Sequence, residues 1–195
     1  MAVDHAARKH DIIVKSIRLF AKMGYKDVTF QMLASRTGVA RTVIYRYFRN
    51  KRQIFDYAIA ETTSLIAARH VEILRSHVSS AERLRQLCNA VVVALFDNRD
   101  FLGVIIDFVM ERTRGGHDMT RRVQHFTIGV RRMMHSLLVT GVRKGEFRSS
   151  LDPDVATNVL YALFESTVLR LAVTRDAVMR EILDQLEVIF AGFVE

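Results

Sequence analysis

One stretch constrains this chain more than any other: TFQMLASRTGVARTVIYRYFRNK, from Thr29 to Lys51. It reads as two short helices around a tight turn. The Thr29 hydroxyl can cap the first helix, leaving Phe30, Leu33 and Ala34 inward at helical spacing. Gly38 stands where that helix must end, because glycine enters the left-handed region without steric cost. Val39 follows as an expected buried plug, and a second helix begins at Ala40 or Arg41. Ile44 and Phe48, four apart, share its inner face. The outer face then presents Arg41, Thr42, Val43, Tyr45, Arg46 and Tyr47, a surface suited to phosphates and to base edges in a major groove. The pattern is that of a helix-turn-helix, with Arg41 to Phe48 as its recognition helix.

Charge separates this segment from the rest. Residues 1–52 carry twelve Lys and Arg against three Asp, a net +9, whereas the remaining chain has seventeen basic and eighteen acidic residues, a net −1. All of the excess positive charge lies in the helix-turn-helix segment, which points to a polyanionic partner. Half of the 195 residues are hydrophobic and there is one proline, which favours a well-packed helical protein. The apolar runs, such as Ala90 to Phe96, are too short to span a bilayer, and MAVDHAARKHD lacks a signal peptide's apolar segment. The lone Cys88 excludes an intrachain disulfide and fits a reducing cytosol. A cytoplasmic location is therefore expected.

Periodicity extends the helical reading along the chain, to about nine helices and no strand. Helix one is expected over Asp4 to Met23, with Ile13, Ile17 and Phe20 inward and Gly24 closing it. Asn50 caps helix four, which runs past Ile54, Phe55, Ile59, Leu65 and Ile66 to about His77. Ser79 and Glu82 have capping-box spacing for helix five, which extends to Phe96. Helix six spans about Asp100 to Arg112, and Gly115-Gly116 breaks it. Asp118 is a cap for helix seven, which stops at Gly145. Asp152-Pro153 starts helix eight, which reaches about Val173, and Thr174 or Asp176 starts helix nine.

The segments IRLFAKMGY and VTFQMLASRTGVARTVIYRYFRNKRQIF closely resemble the amino-terminal domain of the TetR family of transcriptional regulators. The resemblance covers about the first fifty-five residues, through the joint spacing of LFAxxGY, LAxxxGV and YxYFxNK. It implies an all-helical homodimer with a DNA-binding domain over 1–50 and a larger effector-binding and dimerisation domain over 51–195. It also implies a repressor, without a cofactor, that holds a palindromic operator and is released by a small molecule that shifts helix four. On these positions the family touches its operator through the residues matching Arg41, Thr42, Val43, Tyr45, Arg46 and Tyr47. Arg41 and Arg46 are the expected base readers, Tyr47, Thr29 and Lys51 the phosphate contacts, and Gln31 a contact to backbone or base. Two departures stand out: Ala40 replaces the usual Ser or Thr cap, and Thr42 replaces a frequent glycine.

An effector cavity is expected among helices five to eight. Its candidate lining is Phe96, Phe101, Ile105, Phe108, Met110, Phe126, Met133, Met134, Leu137, Tyr161 and Phe164, whose rings and thioethers suit a bulky apolar ligand. Taken position by position, ordinary core is the favoured reading of the same residues. Val155, Val159, Leu163, Val168 and Leu171, with the helix-nine stripe of Val178, Ile182, Leu186, Ile189 and Phe193, supply apolar faces for a bundle across a two-fold axis.

Catalysis and metal binding find little support. The seven histidines include no i, i+4 pair, and no metalloenzyme carboxylate motif accompanies them. His125 or His135 can donate a hydrogen bond into a pocket or serve structurally, and Cys88 falls on an apolar face. Two other classes remain: an architectural DNA-coating protein without sequence preference, and a helical lipid carrier or enzyme that uses no DNA.

Overall fold

The computed structural model describes residues 5–60, 78–116 and 120–194, with backbone only over 120–126. Among the described residues all regular structure is helical, in two compact units. The first is built from residues 5–60 and 100–116 and the second from 78–99 and 120–194.

In the first unit, α1 spans His5–Asp27 and buries Ile12, Ile13, Ser16, Leu19 and Phe20. Gly24 interrupts it with φ +76°, at the expected break, and a short helical segment resumes beyond. Helices α2 (Phe30–Thr37) and α3 (Arg41–Tyr47) follow, then α4, described over residues 51–60. The Asn50 side chain caps α4 by accepting from the Gln53 amide at 2.9 Å. The rest of the expected helix four, with Leu65 and Ile66, lies outside the described residues. Helix α6 (Arg99–Arg114) packs in this unit through rings. Phe55 lies 5.5 Å from Phe20, 5.4 Å from Phe101 and 4.8 Å from Phe108, while Tyr25 meets Phe108 at 4.6 Å. Such ring pairs add to their burial about 0.5–1.5 kcal/mol each.

The second unit packs α5 (Ser80–Asp97), α7 (Thr120–Arg143), α8 (Pro153–Leu169) and α9 (Met179–Ala191). Its core joins Leu84, Leu87 and Val91 of α5, Met134 and Leu138 of α7, Leu160 and Phe164 of α8, and Ile182, Leu186 and Phe190 of α9. Two side chains satisfy the start of α5: Ser79 accepts from the Glu82 amide at 3.1 Å, and Glu146 accepts from the Ala81 amide at 2.9 Å. Glu82 itself accepts from Gln86. Asp152 caps α8 as expected, accepting from Asp154 at 2.8 Å and Val155 at 3.2 Å. The Asp118 cap expected for α7 lies outside the described residues.

Helix nine starts later than expected, at Met179. Helix α8 widens into a π-turn over Arg170–Thr174, and Arg175 takes a left-handed conformation, φ +56°. Thr174 and Asp176, either of which was expected to start helix nine, instead bond to each other before it: the Asp176 carboxylate accepts from Thr174 Oγ1 and Arg170 Nε. Those bonds hold its carboxyl below the usual carboxylate range, the Thr174 bond first.

Candidate nucleic-acid interface

Short-range contacts fix the turn between α2 and α3. Thr29 Oγ1 accepts from the Met32 amide at 3.3 Å, the expected cap. At the other end the Thr37 hydroxyl donates to Leu33 O at 2.7 Å, and Gly38, φ +72°, donates its N–H to Ala34 O. Val39 is half-buried, less enclosed than the expected plug. Ala40 gives α3 no side-chain cap, so only its carbonyl serves that end, accepting from Val43 at 2.9 Å. What seats the helix is its inner face: Ile44 and Phe48 are 0 % and 1 % exposed.

That seating leaves Arg41, Thr42, Tyr45 and Arg46 exposed, with Val43 and Tyr47 half-buried, and Thr29 and Gln31 exposed at the start of α2. The tyrosines are held before any ligand arrives. Tyr45 stacks on Phe30 at 4.5 Å with ring planes 1° apart, and its hydroxyl accepts from Arg41 Nη2 at 3.0 Å. Phe30, expected to point inward, is thus half-buried as a platform for Tyr45. Tyr47 OH hydrogen-bonds His5 Nδ1 at 2.8 Å, which ties α3 to the start of α1. Arg46, 5.6 Å from the Tyr47 ring centre, is the less constrained of the two expected base readers.

Lys51 has a different setting from the one its position suggested. Its ammonium donates to the carbonyls of Tyr25 and Lys26, each at 2.7 Å, and sits 4.6 Å from the Tyr25 ring. Two of its three N–H groups are therefore engaged at the end of α1. Burial pulls its pKa below the usual lysine value, with Glu111 and Asp27 opposing. Burial likewise raises Tyr25 above the usual phenol value, with Arg52 the largest opposing charge. Sequence reasoning missed His5, and also Lys9, whose ammonium lies 3.5 Å over the Tyr57 ring; neither pairing follows a helical period.

The expected effector lining separates. Phe101 and Phe108 are buried in the first unit's aromatic cluster. Ile105 is half-buried, and Met110 is exposed on the same helix. Met134, Leu137 and Phe164 are buried in the second unit's core, against which Phe96, Met133 and Tyr161 pack partly covered. The Phe126 side chain lies outside those described. Of these residues Tyr161 borders a groove of about 620 Å³ between α7 and α8, with Thr127, Ile128, Arg131, Arg132, His135, Asp154, Thr157 and Glu165. Of the expected dimer residues, Val155 and Val159 are 57 % and 44 % exposed, whereas Leu163 and Val168 are half-buried and Leu171 is buried within its own subunit. Cys88 is buried, and that burial pushes its ionisation well above the usual thiol range. The described residues form no group of His, Cys, Asp and Glu able to hold a metal, and none of their helices is long and apolar enough to cross a membrane.

A recognition helix seated on two buried side chains, with a cationic outer face, defines a helix-turn-helix DNA-binding protein. Residues 12–58 match the family described as bacterial regulatory proteins, tetR family, and residues 80–187, more than half the chain, match the C-terminal domain of BetI-type transcriptional repressors. The chain belongs to the TetR family of transcriptional regulators. It is 22 % identical to the fatty acid metabolism regulator protein of Bacillus subtilis over 157 residues, which cover 80 % of this chain and 79 % of that one. It is 21 % identical to the transcriptional repressor KstR2 of Rhodococcus jostii, covering 80 % and 75 %. Solved structures share the fold: a TetR regulator from Haloarcula marismortui, with TM-score 0.81, 16 % identity and coverage of 97 % and 100 %, and FadR of Bacillus subtilis with stearoyl-CoA, with 0.76, 20 %, 94 % and 98 %.

Proposed function

We propose that this regulator is a repressor, not an enzyme, acting in the cytoplasm as a homodimer on a palindromic operator. The observation that carries the reading is the outer face of α3: Arg41, Thr42, Tyr45 and Arg46 exposed on a helix whose partners Ile44 and Phe48 are fully seated. Residues 1–50 form the reading head and 51–195 the effector-binding and dimerisation part. Arg46 and Arg41 meet base edges, Thr42, Val43 and Tyr45 complete the groove surface, Thr29 and Tyr47 serve the backbone, Gln31 meets backbone or base, and Lys51, first expected at a phosphate, supports the head by holding the start of α4 to the end of α1. Two such helices about 34 Å apart read successive half-sites.

The dimer face we propose runs along α8, where Val155, Val159, Leu169 and Val173 stand exposed. Val155, Val159 and Leu169 fall within one helical face, an apolar strip that association would cover. The effector is a small molecule with a long apolar part. A regulator of the same fold, the Bacillus subtilis FadR, was solved with stearoyl-CoA, which makes a long-chain acyl thioester the first compound to try. Its binding would favour the state unable to hold both half-sites, by about 1–3 kcal/mol of coupling in typical allosteric proteins.

Selection of bound sequences from a random duplex library, at a stated salt concentration, tests this reading. An inverted repeat with half-sites one helical turn or a multiple apart is expected. A folded dimer that enriches no sequence would instead be an architectural DNA-coating protein, and operator affinity unmoved by stearoyl-CoA or any other bound ligand would refute the effector.

A further inference from the structure

We infer that the groove between α7 and α8 is a binding site for the phosphorylated end of a small organic anion. Its volume, about 620 Å³, lies within the range of about 300–1,000 Å³ usual for small-molecule sites. Helix α7 supplies Thr127, Arg131 and His135 at intervals of four, with Ile128 and Arg132 on the adjoining row. Helix α8 faces them with Asp154, Thr157, Tyr161 and Glu165. Ile128 is the one aliphatic residue of this lining, so the groove suits the polar end of a ligand rather than its chain.

The charges in the groove are unequally committed. His135 Nε2 lies 3.2 Å from Asp154 Oδ1, which engages that carboxylate. Arg131 donates to Asn158 Oδ1, and its guanidinium lies 5.4 Å from the Tyr161 ring centre, so it is held in a fixed orientation. The exposed Arg132 side chain makes no hydrogen bond or ion pair among the described residues. An uncommitted guanidinium beside an oriented one, with the Tyr161 hydroxyl opposite, forms a donor set for phosphate oxygens, whereas the buried Thr157 hydroxyl donates to Pro153 O at 2.6 Å and only shapes the wall. Glu165 follows Asp154 by eleven residues, about 16 Å along an α-helix, and so puts negative charge at the other end. Arg131, bonded to Asn158, lies between these two carboxylates along α8, so the arginines are where a compact anionic group fits.

The inference takes its choice of probe from the effector reading above, but binding is measured without DNA. Coenzyme A and stearate are titrated separately into the full-length protein by calorimetry at low salt. Coenzyme A is expected to bind the native protein, to bind Arg132→Glu at least tenfold more weakly, and to recover in Arg132→Lys. Arg180→Ala, on the exposed side of α9, should leave coenzyme A affinity unchanged, and stearate affinity should be the same in Arg132→Glu as in the native protein. Absence of coenzyme A binding at millimolar concentration overturns the site, as does affinity insensitive to Arg132→Glu in a folded protein. If Arg132→Glu alters the dimer by sedimentation, Arg132→Gln replaces it, and unchanged coenzyme A affinity in that variant overturns the site. Coenzyme A bound at the groove with operator affinity unmoved would sustain the site and refute the acyl-thioester effector. Release of operator by stearate, without coenzyme A binding, would do the reverse.

Discussion

Replacing Lys51 with methionine separates two roles for this side chain. A lysine that only contacts phosphate adds little to the free protein's stability, whereas this ammonium donates to Tyr25 O and Lys26 O at 2.7 Å and thereby joins the start of α4 to the end of α1. A hydrogen bond from a charged donor contributes about 1.5–3 kcal/mol. The site is only partly buried, so water replaces part of what is lost, and methionine keeps most of the contact with the Tyr25 ring. The expected loss for both bonds together is therefore about 1–3 kcal/mol. For a chain of this length that is a fall in Tm of about 2–4 °C per kcal/mol. Circular dichroism would follow melting, and the salt dependence of operator affinity would be measured on the same variant. Removing one phosphate contact lowers the salt slope by about 1. The staple reading expects a lower Tm, weaker binding and a slope close to native. An unchanged Tm with a slope reduced by about one would refute it and make Lys51 a phosphate contact alone.

Two further predictions use different probes. Gly129 and Gly141 both lie in α7, but a Cβ at Gly129 meets nothing within 4 Å, whereas one at Gly141 falls 2.4 Å from two atoms of the buried Phe147 ring. Gly129→Ala should stabilise the protein by about 0.5–1 kcal/mol, and Gly141→Ala should carry an overpacking cost of about 1–3 kcal/mol against that same gain; equal shifts in urea denaturation would refute the packing argument. Because Tyr25 keeps its proton in the fold above the usual phenol pKa, its contribution to stability is complete below pH 10 and is lost as pH rises through the folded value. Ultraviolet titration should find a late phenolate component that Tyr25→Phe removes, and its persistence in that variant would refute the assignment.

What could be read from the sequence was local. The Thr29, Asn50, Ser79 and Asp152 caps each act across two or three residues, so spacing alone disclosed them. Gly38 and the Ile44–Phe48 face were legible for equally local reasons, the first through the left-handed conformation that ends α2 and the second through helical period. Contacts from distant helices were not. His5 reaches Tyr47 from 42 residues away, and Lys51 reaches the end of α1 from 25 and 26, with no period connecting either pair. The expected effector lining could not be told from core for a chemical reason: aromatic rings and thioethers serve a core as well as a cavity. Phe101 and Phe108 went to one hydrophobic cluster and Met134 and Phe164 to another. The groove was illegible because its arginines look like any solvated helix face until Tyr161 and Asp154 are set opposite them.

The account's central claim is that α3 reads base sequence through Arg46. Its most direct test compares native protein and Arg46→Ala on the selected operator and on a random duplex of equal length, at one salt concentration. Loss of a guanidinium bidentate to guanine should cost about 1–3 kcal/mol on the operator. Affinity for the random duplex should fall far less, so the ratio between the two duplexes collapses. An equal fall on both would make Arg46 a backbone contact, and no fall on either would contradict the assignment of α3 as the reading helix.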